Sequence, residues 1–235
     1  MTMETVSHKK RKRQIQINWP YYLAELLVVF IGVTAGFILN NWRIERDEWK
    51  LEQKYLNSLY SDVLVDESTL DSLIIREQAK LDTLMTVLKH SIVVDKPLTE
   101  EQAQTIVKNM LHLEWFSPSD DTYEDMINSG NLNIISDYRL KENISAYYNF
   151  TKEVKKVEQY FLTHMDNYGF PILYKTYHLY KQEFINDDSY HSLEFTNMFL
   201  GLYALLGQNI DIYRRALARN RELKDILAGV LEKTG

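Results

Sequence analysis

The sequence has no cysteine, and it contains only four prolines and eight glycines among 235 residues. The absence of cysteine excludes a disulfide scaffold, an iron–sulfur cluster and a thiol nucleophile. The scarcity of proline and glycine excludes collagen-like and proline-rich chains, and it argues against a turn-rich all-β fold. With 45% hydrophobic and 12% aromatic residues, the chain is too apolar to be disordered. The length fits one ordinary domain, alone or with a small appendage.

Signatures of catalysis and metal binding are also missing. The chain has six histidines, but none lies in a His-x-x-x-His pair, and no Glu-x-x-His motif occurs. Asp188 and His191 have a related spacing once, and a surface ion pair explains it. There is no Gly-x-Ser-x-Gly, phosphate-loop or Gly-x-Gly-x-x-Gly motif. The sequence therefore predicts no enzyme, no catalytic residue, no metal site and no cofactor.

The net charge of −6 is distributed unevenly along the chain. Residues 1–20 form a basic arm of charge +4, whose five cations are Lys9, Lys10, Arg11, Lys12 and Arg13. Residues 21–42 carry only Glu25, which leaves −9 for residues 43–235. An acidic body repels phosphates, so nucleic acid is not a predicted partner. A basic arm that directly precedes an apolar segment favours binding to anionic lipid.

Residues 21–42, here called the membrane segment, predict a single transmembrane helix. Nineteen of them, residues 21–39, include one ionisable group and form a helix of roughly 28 Å, close to the ~30 Å hydrocarbon core. Aromatic side chains suited to the membrane interface flank the segment: Trp19, Tyr21, Tyr22 and Trp42. A buried core helix and a cleaved signal peptide are the alternatives. The long apolar run and its Asn-Asn-Trp-Arg exit favour an uncleaved signal anchor.

Flanking lysines and arginines predict the orientation of the segment. The N-terminal side carries a contiguous block of five, and the C-terminal side carries four: Arg43, Arg46, Lys50 and Lys54. The contiguous block favours retention inside the cell. We therefore expect residues 1–20 in the cytoplasm and residues 43–235 outside the inner membrane, in the periplasm.

Three positions in the membrane segment suggest contact between helices. Gly32 and Gly36 form a small-x-x-x-small motif that allows close helix approach. Glu25 lies seven residues before Gly32, so the three positions share one helix face. Self-association or docking of a membrane partner through Glu25, Gly32 and Gly36 is the functional interpretation. The alternative is that Glu25 snorkels to water, pairs with a lysine of the arm, or is protonated.

The body after the membrane segment is predicted to be all-α. Apolar residues recur every three to four positions, which predicts that the first helix continues to about His90. Thr99 and Gln102 have the spacing of a capping box, and a short helix is expected to stop at Gly130. The predicted architecture is a single N-terminal transmembrane helix that continues into an antiparallel helical bundle.

Two long helices complete the predicted bundle. Ser136 is the expected N-cap of the first, and Pro171 is expected to end or kink it. Residues 131–135 before it are expected to be extended. The second covers the C-terminal forty or so residues. Tyr174, Tyr177 and Tyr180 have helical spacing, which predicts a packing stripe.

One corner of the bundle is a possible partner-binding site. Trp115 and Phe116 start a polar loop, and Tyr123 follows in a short helix. These three aromatic residues are expected to be exposed if the corner binds a ligand or partner. The alternative is that the whole stretch is only a structural turn between helices.

Two stretches together resemble a known family. They are residues 25–32 with the Asn40-Asn41-Trp42 exit, and residues 121–132 with the sequence Asp-Thr-Tyr-Glu-Asp-Met-Ile-Asn-Ser-Gly-Asn-Leu. They are similar to a family of small single-span membrane proteins of unknown function, widespread in the Bacteroidetes group. The resemblance implies an inner-membrane location in a Gram-negative bacterium, and it implies no catalytic residues.

These features predict a membrane-anchored structural or accessory protein. It is expected to self-associate or to serve as a subunit of a larger membrane complex, with the lipid bilayer and other membrane proteins as partners. Two alternatives stay open. One is a helical-bundle sensor whose output module belongs to a partner, and the other is an oligomeric channel with Glu25 facing the pore.

Overall fold

The computed structural model describes residues 19–93 and 96–234, so the basic arm from Lys9 to Arg13 lies outside the described residues. The chain divides into two compact units, Met1–Trp49 and Lys50–Gly235. The described residues are almost entirely helical, which confirms the predicted all-α class. They form seven α-helices: α1 Trp19–Leu88, α2 Glu100–Leu111, α3 Asp121–Asn128, α4 Tyr138–His164, α5 Phe170–Thr176, α6 Asp187–His191 and α7 Leu193–Thr234.

Helix α1 is 70 residues long. Its end at Leu88, followed by a π-helical turn over Lys89–Val93, matches the expected end near His90. Within the body its buried side chains recur every three or four residues, as a helix with one face in a core requires. They are Tyr55, Leu56, Leu59, Val63, Asp66, Leu70, Leu73, Glu77, Leu84 and Val87.

The body is a bundle of the three long helices. Asn220 of α7 binds Val63 of α1, and Tyr203, earlier in α7, contacts Met85, later in α1. Helices α1 and α7 are therefore antiparallel. Asn220 also binds Tyr147 of α4, as Tyr213 binds Glu158, so α4 and α7 are antiparallel too. The predicted antiparallel bundle is confirmed, and the path through α2 and α3 returns the chain so that α4 runs parallel to α1.

Three hydrophobic clusters follow one another along the bundle. The first joins α1, α3, the start of α4 and the end of α7 around Leu59 and Ile144. The middle one joins the same long helices around Leu70 and Tyr213 and takes in Phe116. The third surrounds Leu84 and includes α2, α5, α6 and the first half of α7. The short helices α2, α5 and α6 thus cover the end of the bundle at which α1 finishes.

Helix caps agree with the sequence in one case and differ in another. Thr99 Oγ1 accepts a hydrogen bond from Gln102 N, and Gln102 Oε1 accepts one from Thr99 N, so the predicted capping box of α2 is confirmed. The prediction that Ser136 caps α4 is wrong. Asp137 is the N-cap, because its carboxylate accepts from two backbone N–H groups of the first turn. Ser136 N donates instead to Glu52 Oε1 at 2.7 Å.

Two turns around α4 also differ from expectation. The residues after Gly130 form a 3₁₀ turn, Asn131–Ile134, rather than an extended linker. Gly130 itself has φ +74°, the left-handed conformation expected of a helix stop. Helix α4 ends at His164 and a π-helical turn, Met165–Gly169, follows it. Pro171 does not end α4 but lies in the first turn of α5, where its missing N–H is tolerated.

The predicted tyrosine stripe is wrong, because α5 ends at Thr176. A short antiparallel hairpin follows, with strands β1 Tyr177–His178 and β2 Glu183–Phe184. Tyr177 packs edge-on against Phe184 and is buried, whereas Tyr180 lies in the hairpin turn and is 93% exposed. Tyr177 and Tyr180 therefore share no packing face.

Candidate functional site

The membrane segment is apolar and entirely unburied. Its best 18-residue window has a mean hydropathy of 2.2, and none of that window is buried within the protein. Its large apolar side chains, such as Val28 and Phe30, are all exposed, each by more than half of its surface. By length and composition, α1 is one helix able to cross a membrane.

The three predicted association residues lie on this exposed surface. Glu25, Gly32 and Gly36 are all exposed. A Cβ atom placed on Gly32 or Gly36 would meet no other group within 4 Å. The two glycines therefore serve no packing contact within the described chain, although each costs helix stability relative to alanine.

The predicted interfacial residues are also exposed. Trp19, Tyr21, Tyr22 and Trp42 are each at least half accessible. Tyr21 and Tyr22 pack edge to face with ring centroids 5.8 Å apart. At the other end, the guanidinium of Arg46 lies 5.7 Å from the centre of the Trp42 ring. Both ends thus combine an apolar ring with a polar edge or neighbour, as membrane interfaces favour.

In the body, a loop of residues 112–120 joins α2 to α3, and buried carboxylates hold it against the bundle. We call it the corner loop. Glu158 Oε1 accepts hydrogen bonds from Phe116 N and from the Tyr213 hydroxyl, both at 2.7 Å. Asp66 Oδ1 accepts one from Ser119 N at 2.7 Å. Two carboxylates from different helices therefore satisfy backbone N–H groups that the loop cannot satisfy itself.

A third buried carboxylate supports the start of the same loop. Glu77 Oε1 accepts a hydrogen bond from Lys80 Nζ at 2.6 Å, and Lys80 Nζ also donates to the carbonyl of His112 at 2.5 Å. Nearby, Arg76 forms an ion pair with Glu114 at 2.7 Å. The corner loop is thus attached to α1 at its beginning and near its end.

Burial changes the titration of these groups. It raises the pKa of Asp66, Glu77 and Glu158, because a charged carboxylate is poorly solvated in the bundle. Hydrogen bonds from the Tyr147 and Tyr213 hydroxyls oppose the increase for Asp66 and Glu158, respectively. The pKa values of Tyr147 and Tyr213 are also raised, mainly by burial and secondly by the negative charge of Asp66 and Glu158, respectively.

The expected exposure of the aromatic corner is wrong for two of its three residues. Phe116 is 6% exposed and belongs to the middle core cluster. Tyr123 is 4% exposed and stacks on Tyr148 with ring centroids 4.4 Å apart. Trp115 is half-buried and packs edge-on against Phe161. The corner loop is a structural connection first, and any binding surface lies beside it.

That surface is a cleft of about 560 Å³ between the corner loop, α3 and α4. We call it the cleft. Its lining combines aromatic, basic and acidic side chains: Trp115, Phe116, Ser117, Pro118, Asp120, Glu124, Thr151, Lys152, Lys155, Glu158, Gln159 and Leu162. The volume lies within the range of about 300–1,000 Å³ that is typical of small-molecule sites.

Sequence reasoning missed the buried carboxylates and most of the cleft. A signal for two of the carboxylates was present, because Asp66 and Glu77 fall in the same three-to-four-residue register as the buried apolar residues of α1. A carboxylate at a position in this register is predicted to be buried, and a buried carboxylate needs hydrogen-bond donors from neighbouring residues. Among residues 19–93 and 96–234, no group of three or more histidine, aspartate or glutamate side chains is arranged to hold a metal ion.

The fold defines an all-α protein with one helix able to cross a membrane and a helical body that contains a small cleft. Comparison with protein-family models, with curated proteins and with solved structures finds no match to this chain. The resemblance to the single-span family of the Bacteroidetes therefore stays a prediction.

Proposed function

We propose that this chain is a membrane-anchored structural or accessory protein without catalytic activity. It self-associates or serves as a subunit of a larger membrane complex. The observation that carries the proposal is the contrast between the two units: the membrane segment leaves all its large apolar side chains exposed, whereas the body buries most of its own in three clusters. A lipid bilayer is the surrounding that makes such a helix stable.

The free energy of insertion supports an anchor. Residues 23–39 contain eleven Leu, Ile, Phe or Val side chains, each worth about −0.3 to −0.6 kcal/mol near the centre of a membrane helix. Their sum is roughly −3 to −7 kcal/mol. A charged side chain opposes insertion by about 2.5–3.5 kcal/mol at the helix centre, and Glu25 opposes it by less because it lies near the end of the segment. The balance favours insertion.

The flanking charges support one orientation. The contiguous block from Lys9 to Arg13 keeps the N-terminus on the cytoplasmic side of the inner membrane, and the body is then periplasmic. Protease added to spheroplasts is expected to digest the body without lysis. Digestion only after lysis would reverse the orientation.

Alkaline carbonate extraction of native membranes tests the anchor itself. The chain is expected to stay in the membrane pellet, and the double variant Val29→Arg with Val33→Arg is expected to move to the soluble fraction. The matched control is Ser61→Arg with Ser68→Arg, two exposed positions on the part of α1 in the body, which should stay in the pellet. Release of the unaltered chain by carbonate would exclude an integral anchor.

Self-association through the membrane segment is supported by the two glycines, which have no packing role within the chain. Replacing Gly32 and Gly36 by leucine is expected to abolish a cross-linked dimer in native membranes. Thr34→Leu is the matched control, because residue 34 lies about 200° from Gly32 on a regular helix. Cross-links to other membrane proteins alone would favour the subunit over the self-associating form.

A ligand-responsive body is a second candidate function, and the cleft is the observation that favours it. Such a body acts as a sensor whose output module belongs to a partner. Binding of a small molecule to the cleft, with a change in the cross-linked partners, is the expected behaviour. Binding that leaves the partners unchanged would argue against the sensor.

A further inference from the structure

The cleft is lined on one side by a single face of α4. Thr151, Lys155, Glu158 and Leu162 follow one another at steps of four, three and four residues, which places them along one helix face. The corner loop forms the facing wall. A cleft of about 560 Å³ has the volume of a small-molecule site.

Glu158 offers the cleft an unused acceptor. The residue is 6% exposed, and both hydrogen bonds that it accepts end on Oε1. Among the described residues no group donates to Oε2, while Glu158 lines the cleft. Oε2 is therefore free to accept a hydrogen bond from a ligand, and a bond to a charged group is worth more than one between neutral groups. A ligand ammonium group brings three N–H donors.

Cationic side chains lie next to this acceptor. Lys155 precedes Glu158 by three residues, so their Cβ atoms are about 5–6 Å apart. Lys155 forms no ion pair within 4.0 Å in the described part of the chain, and burial raises the pKa of Glu158 although the charge of Lys155 partly opposes it. Lys152 reaches only Glu124, at 3.9 Å. The cleft therefore presents an acceptor and a free cation one helical turn apart.

An apolar surface completes one end of the cleft. Leu162 lies one turn beyond Glu158 on α4, and Trp115 faces the cleft from the corner loop. The Trp115 ring is held in place by edge-on packing against Phe161, with centroids 5.6 Å apart. Both Trp115 and Leu162 are only partly buried, so they can still cover an apolar group of a ligand.

We propose that the cleft binds a zwitterionic α-amino acid with a large apolar side chain. Glu158 Oε2 accepts hydrogen bonds from the ammonium group, Lys155 binds the carboxylate with Lys152 beside it, and the side chain packs on Trp115 and Leu162. An α-amino acid carries its two opposite charges on one carbon, which matches an acid and a base one helical turn apart. This inference names the ligand of the sensor proposed above and does not depend on the membrane anchor.

Calorimetry on the full chain in detergent micelles tests the proposal with four probes. L-Phenylalanine is expected to bind saturably at one site. Phenethylamine lacks the carboxylate, 3-phenylpropionate lacks the ammonium group and L-alanine lacks the ring. Each of the three is expected to bind at least about tenfold more weakly, as the loss of one charged or large apolar contact predicts.

Two variants assign the contacts. Lys155→Ala should weaken the binding of L-phenylalanine and 3-phenylpropionate about tenfold but leave the binding of phenethylamine unchanged. Glu158→Gln should weaken the binding of phenethylamine about tenfold but leave the binding of 3-phenylpropionate unchanged. Lys156→Ala is the matched control, because Lys156 is exposed and pairs with Glu153 at 2.7 Å. Lys155 is exposed, so its variant folds even if Glu158→Gln does not.

The proposal is overturned by two results. One is the absence of saturable binding of L-phenylalanine up to about 10 mM, a concentration above any useful affinity. The other is an L-phenylalanine affinity that is unchanged in Lys155→Ala. Neither result bears on carbonate extraction, so failure of the ligand and failure of the anchor are distinguishable. Binding without a change in cross-linked partners would retain the ligand site and remove the sensor.

Discussion

The substitution Tyr147→Phe removes one oxygen atom from the centre of the bundle. The Tyr147 hydroxyl donates to Asp66 Oδ2 at 2.6 Å and accepts from Asn220 Nδ2 at 3.1 Å. Tyr147 is 1% exposed and Asp66 is fully buried, so water does not replace the lost group. Asn220 keeps its second hydrogen bond, to the carbonyl of Val63. The main consequence is a buried carboxylate oxygen without a donor.

The cost follows from these contacts. A hydrogen bond to a buried charged group is worth about 1.5–3 kcal/mol, and the neutral bond from Asn220 adds about 0.5–1.5 kcal/mol. The expected loss in the free energy of unfolding is therefore about 2–4.5 kcal/mol. With a urea dependence of about 1–3 kcal/mol per molar, the unfolding midpoint should fall by about 0.7 M or more.

The loss should also depend on pH. Burial raises the pKa of Asp66, and the hydrogen bond from Tyr147 opposes that increase. Without the hydroxyl the folded-state pKa of Asp66 rises further. A carboxyl group whose pKa is higher in the folded than in the unfolded chain loses stability as pH rises through the folded-state value. The variant should therefore be more destabilised at pH 8 than at pH 5.

Urea unfolding of the full chain in mild detergent, followed by tryptophan fluorescence, measures both effects. Tyr160→Phe is the matched control, because Tyr160 is 62% exposed and its hydroxyl can bind water. The control should leave the midpoint unchanged. Equal midpoints for the two variants, or a loss in Tyr147→Phe that is the same at both pH values, would refute the assignment of Asp66 as a charged, hydroxyl-dependent group.

Three further outcomes are expected for the body. The unaltered chain should gain stability as the pH falls from 7 to 5, because the three buried carboxylates have raised pKa values in the folded state. Glu67 and Glu114 have lowered pKa values, which affect stability only below about the pKa of a carboxyl group in the unfolded chain. A stability that falls over this pH range in thermal melts would contradict the raised pKa values of the buried acids. Gly130→Ala should lower the free energy of unfolding by about 1 kcal/mol, because residue 130 has a φ of +74°. Gly207→Ala, in the open interior of α7, should be neutral or stabilising by up to about 1 kcal/mol. Equal effects of the two substitutions would show that the φ of Gly130 does not decide the cost. Thr99→Ala should cost about 1 kcal/mol by opening the capping box of α2, and Thr99→Ser should restore most of it in the same melts.

Helix existence was predictable because its signals are local. The apolar run of the membrane segment, the spacing that carries α1 to Leu88 and the capping box of α2 each depend on residues within a few turns of one another. Element boundaries were less predictable where two polar residues compete. Ser136 and Asp137 are both good N-caps. Glu52 of α1, 84 residues earlier in the sequence, accepts a hydrogen bond from Ser136 N.

The candidate site was predictable only in part, and the corner loop shows why. Its position between helices could be read from its polar residues, and Trp115 does line the cleft. The exposure of Phe116 and Tyr123 was wrong, because their surroundings come from distant helices. Glu158, 42 residues after Phe116, accepts its backbone N–H, and Tyr148 supplies the stacking partner of Tyr123.

By itself, the sequence determined an all-α chain with one apolar segment of membrane-spanning length and a body without known catalytic motifs. Those properties follow from composition and from the period of a helix, which are fixed before the chain folds. Only the tertiary structure decided that Asp66, Glu77 and Glu158 are buried and that a cleft forms beside the corner loop. The physical reason is that burial depends on which helices pack together. The free-energy cost of a buried acid, and its use in a site, depend on whether residues distant in sequence place a donor or a cation beside it.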